Sequence, residues 1–229
     1  MSNKLFRWGK KATGCMLVVG SDIQQLSQSF AETNLIDALH VYHVVNDLNQ
    51  EKIHIEKLHN QLTVVRINLI DQHALKKLLS HITSSKHQIE LCIFQAYFSH
   101  AREMDILLSQ EAEHEWNNNG LSAVSLSQVM IREMLMRQSG TMIFLGSQPQ
   151  SSAYYDPLSQ SSFAAIRALS QSLAREFHPK GIHVCYCMLE QWQGHREDFV
   201  NSVKKACLHL HQQPNSTWSQ ELSLGYSIL

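Results

Sequence analysis

A chain of 229 residues, 44% of them hydrophobic, is long enough to bury one large core and gives no reason to be divided into two. Its formal net charge of −1, with no long block of either sign, lends no electrostatic support to a nucleic-acid surface or to an anionic-membrane patch. The five cysteines are an odd number, and Cys92, Cys185 and Cys187 fall in apolar runs, which fits reduced thiols in a cytoplasmic compartment rather than a disulfide framework.

The lead from Met1 to Lys11 is basic and precedes an apolar run, as a secretory signal does. That run, Cys15 to Val19, is too short for the apolar part of such a signal, and no run approaches the length of a bilayer span. It reads instead as a first buried strand closed by Gly20, followed by a helix with Ile23, Leu26 and Phe30 on one face. Ala38 to Val45 and Leu62 to Ile67 read as further strands, separated by a charged stretch, Glu51 to Leu58, that reads as helical. Leu75, Leu78, Leu79 and Ile82 mark the next helix, ahead of a strand at Ile89 to Phe94. The later part of Glu111 to Gln138, with Leu126, Val129, Met130 and Met134, is helical by its spacing.

Thr141 to Leu145 is a short apolar run ended by Gly146, suited to a strand covered on both faces. A polar loop, Ser147 to Leu158, leads into a helix whose apolar residues Phe163, Ile166, Leu169, Leu173 and Phe177 recur at threes and fours. Pro179-Lys180-Gly181 stops it, and Ile182 to Leu189 is a second strand rich in β-branched and aromatic residues. Strand, helix and strand in this order form a right-handed unit of a parallel sheet. Phe199, Val203, Ala206, Cys207 and Leu210 share a last helical face, and Trp218 to Leu224 reads as a short terminal strand. The alternation, without repeats or a linker, predicts one α/β domain over residues 1–229: a Rossmann-like doubly wound parallel sheet with helices on both faces.

Three stretches, GTMIFLGS at 140–147, FAAIRALSQSLAREFHPKGIHV at 163–184 and LHLHQQPNSTWSQEL at 208–222, resemble the short-chain dehydrogenase/reductase family, the last two a bacterial subgroup of it. The resemblance implies a sheet of about seven strands, an NAD(P) cofactor, and subunits paired as a homodimer or homotetramer through helices near 111–138 and 159–177. It also locates the family's functional positions. The glycine-rich phosphate turn corresponds to Gly20-Ser21-Asp22-Ile23-Gln24-Gln25, where only Gly20 is kept, the loop is short, and Asp22 brings a negative charge towards the diphosphate. Asn68 stands where the family has an Asp that meets the adenine. Gln95-Ala96-Tyr97 stands where it has Asn-Ala-Gly, and Glu190-Gln191 where it has Pro-Gly.

The family's catalytic Tyr aligns with Ser159 and its Lys with Phe163, so both principal groups are replaced. Ser147 matches the substrate-orienting Ser and Asn119 the Asn of the proton relay, while Tyr155 is a candidate acid from the central loop. Losing a tuned acid removes a proton-transfer contribution of roughly two to four orders of magnitude. The 14 histidines form no metal-ligand pattern. His40 and His43, an odd offset apart on a strand, point to opposite faces and read as surface or hydrogen-bonded residues. No Gly-x-Ser-x-Gly motif supports a hydrolase.

These residues predict a degenerate member of the family that keeps the sheet and the pairing helices, has lost ordinary nicotinamide catalysis, and uses no cofactor. It would act as a binding or assembly subunit, with itself or with an active relative. The alternative expectation is an NAD(P)-dependent oxidoreductase with an atypical active site, in which Ser147, Tyr155 or water donates the proton.

Overall fold

Short apolar runs bounded by glycine or polar loops become the strands of one sheet. The computed structural model describes residues 12–20, 24–32, 39–97, 106–147, 157–190 and 195–225. Its strands are β1 (Thr13–Val19), β2 (His40–Asn46), β3 (His54–His59), β4 (Leu62–Ile67), β5 (His87–Gln95), β6 (Gly140–Ser147), β7 (Ile182–Leu189) and β8 (Glu221–Leu224). The α-helices are α1 (Gln24–Ala31), α2 (Gln72–Ser84), α3 (Ser109–Trp116), α4 (Ser122–Leu135), α5 (Pro157–Phe177) and α6 (Arg196–Gln212), with a π-helical turn, Asn117–Leu121, between α3 and α4.

The sheet runs in the order β3-β4-β2-β1-β5-β6-β7-β8, and every neighbouring pair is parallel except β3 with β4. The chain starts at the centre, winds out to one edge, and returns to build the other half from β5. The order therefore reverses between β1 and β5, where ligands of such folds bind. Alternate side chains serve the two faces: Leu17, Val44, Phe94, Phe144 and Tyr186 join the core under α2, α4 and α5, while Met16, Val41, Ile93, Leu145 and Cys187 join the core under α1 and α6. All five cysteines are buried and unpaired in disulfides.

The predicted helix at Glu51 to Leu58 is wrong. Residues 54–59 form the antiparallel edge strand β3, with Ile55 opposite Val65 and Glu56 opposite Val64. Only Ile55 in it is even half-buried. No helical stripe exists to dock, and exposed Glu56 and Lys57 blunt an edge that would otherwise invite pairing. The buried stripe of α5 is also rotated from the predicted one: Ser159, Phe163, Ile166, Ser170 and Ala174 face the core, while Leu169, Leu173 and Phe177 lie on its flank. Gly181, at φ 84°, closes the turn after α5 in the left-handed region that favours glycine. The terminal strand is confined to 221–224. Ile23 and Ala38, assigned above to the first helix and second strand, lie outside the described residues.

Trp218 does not join that strand but stacks flat on the buried His183, with ring centroids 5.0 Å apart and planes 2° from parallel. The two nitrogens of His183 face the carbonyls of Leu210 (3.0 Å) and Ser219 (2.8 Å), tying β7 to the end of α6 and to the approach to β8. His40 and His43 point to opposite faces as read, but both are buried. His43 bonds Ser27 of α1 at 2.7 Å, while His40 bonds Thr63 at 2.9 Å and stacks on His87. Burial lowers both imidazoles to about 4, with the His87 charge adding to the effect at His40. Burial lowers His87, His183 and His211 as well. An unfolded histidine titrates near 6.5. Below that pH the unfolded chain binds protons that the folded chain refuses, so stability is lost as pH falls from about 6.5 towards about 4. Urea midpoints should be level above neutrality and fall through this window by the equivalent of a few kcal/mol, on the order of one to two per site for the deepest groups. A His40→Asn, His43→Asn double variant should lose part of that slope; an unchanged slope would contradict the assignment.

Candidate functional site

The point where strand order reverses lies beyond the carboxyl ends of β1 and β5. Gly20 closes β1 there, its N–H bonded to the Val44 carbonyl at 3.0 Å as the ladder's last rung towards β2. Ser21, also expected near the cofactor, and Tyr155 lie outside the described residues.

The site's organising feature is a hydrogen-bonded cluster built on the junction of α3 and α4. Of the run Asn117-Asn118-Asn119, the π turn carries Asn119 inwards to full burial. Its Oδ1 accepts from the Tyr97 backbone N–H at 2.6 Å, and its Nδ2 donates to the Tyr97 carbonyl at 3.2 Å and to Glu115 Oε1 at 2.6 Å. The same Glu115 oxygen accepts from the Ser159 hydroxyl of α5 at 3.3 Å. Glu115 is the one buried carboxylate among the described residues. Burying a carboxylate is costly unless donors meet it, and here donors from two helices do. Asn119 is thus engaged with the end of β5 and with Glu115, and Ser159 is drawn into the same cluster.

Phe163, one turn after Ser159, is 2% exposed and belongs to the core with Phe144, Ile166 and Tyr186. No ammonium group stands at that position. Ser147, half-buried at the end of β6, lines a separate cavity of about 480 Å³ with Phe163, Gln160, Tyr186 and Met188. Asn119 and Ser159 are therefore brought together through Glu115, and Ser147 and Phe163 through this cavity.

A second cavity, about 220 Å³, opens between the ends of β2 and β5 and is lined by Asn46, Asp47, Gln95, Tyr97, His114 and Asn118 among others. Tyr97 thus lines the β2 side of the crevice, in a different cavity from Ser147. Asn46 braces this region, its Nδ2 donating to Ser122 Oγ at 3.0 Å and its Oδ1 accepting from the Leu69 N–H at 3.1 Å. Asn68 is used within loops: its amide donates to the Leu48 carbonyl at 3.0 Å and its oxygen accepts from the Ile70 N–H at 3.1 Å. Ala96 is buried, its N–H bonded to the Leu145 carbonyl at 3.2 Å. Among the described residues no three His, Cys, Asp or Glu side chains converge as metal ligands, and no helix is long and apolar enough to cross a membrane.

The sequence profile described as short chain dehydrogenase matches residues 16–191. The chain belongs to the short-chain dehydrogenase family. Among solved structures it is similar to a short-chain dehydrogenase from Rhodopseudomonas palustris (20% identity, TM-score 0.71, covering 92% of this chain and 97% of that one). It is also similar to a short-chain dehydrogenase from Leptospira borgpetersenii with bound NAD+ (15%, 0.72, 93% and 92%) and to serine dehydrogenase from Escherichia coli (13%, 0.72, 91% and 96%). No curated protein matches significantly. At these identities the solved structures speak for the fold, which spans nearly the whole chain.

Two residues at the site escape a reading of the sequence alone. Glu115 sits in the run Glu111-Ala112-Glu113-His114-Glu115, where nothing marks one acid as buried; its spacing of four from Asn119 is the only signal. Asp47, just past β2, is visible as an acid at a strand end but is one of many polar residues there. The cluster makes a stability prediction. Glu115→Leu removes the shared acceptor from Asn119 and Ser159 and should cost about 2–4 kcal/mol in urea unfolding, whereas Glu115→Gln keeps an acceptor oxygen and should cost about 1 kcal/mol. Equal losses for the two variants would remove the carboxylate from its bridging role.

Proposed function

We propose that this chain is a short-chain dehydrogenase/reductase-fold subunit that does not carry out the family's Tyr/Lys-assisted hydride chemistry and acts instead as a binding or assembly partner. The observation that carries this reading is the Glu115 bridge. Where the family has a phenol and an ammonium four residues apart, this chain has a serine hydroxyl bonded to a buried carboxylate and a phenyl ring packed in the core. Neither group is an acid poised near neutral pH, and Asn119 is already bonded to the Tyr97 backbone and to Glu115. The residues at this position do not fit the nicotinamide end of a dinucleotide.

Assembly is supported by apolar exposure on α3, the π turn and α4, where Leu108, Trp116, Leu121 and Val124 are 37–61% exposed. The family resemblance assigns subunit pairing to this region, and exposed large apolar groups favour burial against a partner. We take the partner to be a second copy in a homodimer or homotetramer, with an active relative as the other candidate. Val124→Glu should shift the mass measured by sedimentation or light scattering towards the monomer; an unaltered mass would place the interface elsewhere.

One observation favours the second reading, an oxidoreductase that holds NAD(P) in an altered pose. Asp47 lines the cavity beside β2, where dinucleotide folds carry an acid for the ribose hydroxyls. Titration with NADH and NADPH, followed by nicotinamide fluorescence, separates the two. No saturable signal at millimolar cofactor is expected. A saturable response to NADH that Asp47→Ala abolishes would establish the second reading instead.

A further inference from the structure

At the amino ends of β5, β6 and β7, the opposite end of the sheet from the Glu115 cluster, lies a cavity of about 330 Å³ that neither reading uses. The stretch LHLHQQPNSTWSQEL supplies part of its wall through His211, Gln213 and Trp218. These three are committed to structure. The Trp218 indole N–H donates to the Gln213 carbonyl at 3.0 Å, and the Gln213 amide donates to the Ser219 hydroxyl at 3.0 Å and accepts from its N–H at 2.9 Å. His211 Nδ1 meets the Thr141 hydroxyl at 2.9 Å.

Two opposite charges, Glu90 and Arg137, line the same cavity, and neither meets a counterion: the ion pairs among the described residues are Arg167–Glu221 and Lys180–Glu176. Glu90 owes its position to a β-bulge. Cys15 pairs with Ile89 and the next residue, Met16, with Leu91, so Glu90 is the extra residue of β5, and such a bulge re-aims its side chain. Gly14 leaves the room it needs, since a Cβ there would stand 2.7 Å from the Glu90 carboxyl carbon and 2.8 Å from its Oε1. Burial lowers the His211 imidazole and the Glu90 charge partly opposes this, so the carboxylate lies within electrostatic reach of that wall. Among the described residues it accepts no hydrogen bond. Arg137 is oriented without being neutralised: its terminal nitrogens donate to the carbonyls of Glu133, at 3.2 Å, and of Ile89. Its Nε is buried and has no hydrogen-bond partner, although buried donors are nearly always paired with protein, water or a ligand.

We propose that this cavity binds a polar α-amino acid, its ammonium donating to the Glu90 carboxylate, its carboxylate accepting from the Arg137 guanidinium, and its side chain meeting the Gln88 amide. A zwitterion supplies both missing counterions in one molecule. A simple anion would leave Glu90 unpaired and be repelled by it, and a simple cation would do the same at Arg137. The site stands whether or not a dinucleotide binds, since none of its residues belongs to the Glu115 cluster or to the cavity beside Asp47.

Calorimetry or ligand-observed NMR on the full chain tests it with L-glutamine, its deaminated analogue glutaramate and its decarboxylated analogue 4-aminobutanamide. L-Glutamine should saturate at millimolar concentration or below, and each analogue should bind about tenfold more weakly or worse, the loss of one charge-assisted hydrogen bond. Glu90→Gln should weaken L-glutamine by a similar factor and leave glutaramate no weaker than before. Arg137→Gln should weaken L-glutamine and leave 4-aminobutanamide no weaker. Arg137 also holds the end of α4, so if that variant fails to fold, Glu90→Gln, which breaks no hydrogen bond among the described residues, carries the test. Absence of L-glutamine saturation, equal binding of either analogue, or an L-glutamine affinity unmoved by Glu90→Gln would overturn the proposal.

Discussion

A buried carboxylate must be met by donors, and the Glu115 carboxylate sets much of the geometry around the crevice. Among the described residues, Asn119 and Ser159 supply it with hydrogen bonds from its own helical segment and from α5. Asn119 in turn reaches the backbone of Tyr97, so one residue pins the end of β5, the π turn and the acid at once. The π turn is the local cost of this arrangement, since a regular helix would carry Asn119 round to a different face. A segment of three asparagines, weak as helix formers, is well suited to hold such an irregularity.

The same cluster accounts for the packing at positions 159 and 163. A lysine at position 163 would need its ammonium solvated or paired within a site only 2% exposed. Phenylalanine at that position instead adds its ring to the core formed with Phe144, Ile166 and Tyr186, converting a desolvation cost into apolar burial. Serine at 159 is short enough to lie beneath α5 and meet Glu115, where a tyrosine ring would collide with the cluster or force it open. Serine at 159 and phenylalanine at 163 are thus mutually consistent: one satisfies the buried carboxylate, and the other adds an apolar ring to the core.

Much of the fold was legible because parallel strands are covered on both faces and so appear as continuous apolar runs, as at Cys15 to Val19 and Thr141 to Leu145. β3 was not legible, because its charged residues serve an exposed edge and its identity comes from pairing with β4 rather than from its own pattern. The rotation of α5 was hidden for a related reason: Ser159, Ser170 and Ala174 are small or polar, and apolar spacing alone gives the stripe to the larger Leu169 and Leu173. At the site, Asn119, Ser159 and Phe163 could be named from the sequence. The bridge between Asn119 and Ser159 could not, since Glu115 acquires its meaning only when Ser159, 44 positions later, is brought beneath it.

Among the described residues the two cavities are lined separately. The cavity beside Asp47 spans the ends of β2 and β5, the cavity beside Ser147 lies between α5 and β6–β7, and among the described residues no lining residue is common to them. A hydride transfer needs donor, acceptor and proton source aligned within a few ångströms, on the order of 3–3.5 Å for reacting atoms. In this chain the Ser159 position is bonded to Glu115 and the adjoining core position is filled by Phe163. Breaking into the cluster there would expose the carboxylate and free Asn119 from the Tyr97 backbone together, because these hydrogen bonds share Asn119 and Glu115 and cannot yield one at a time. The cooperativity that holds the helices on the sheet thus also keeps the Glu115 cluster closed.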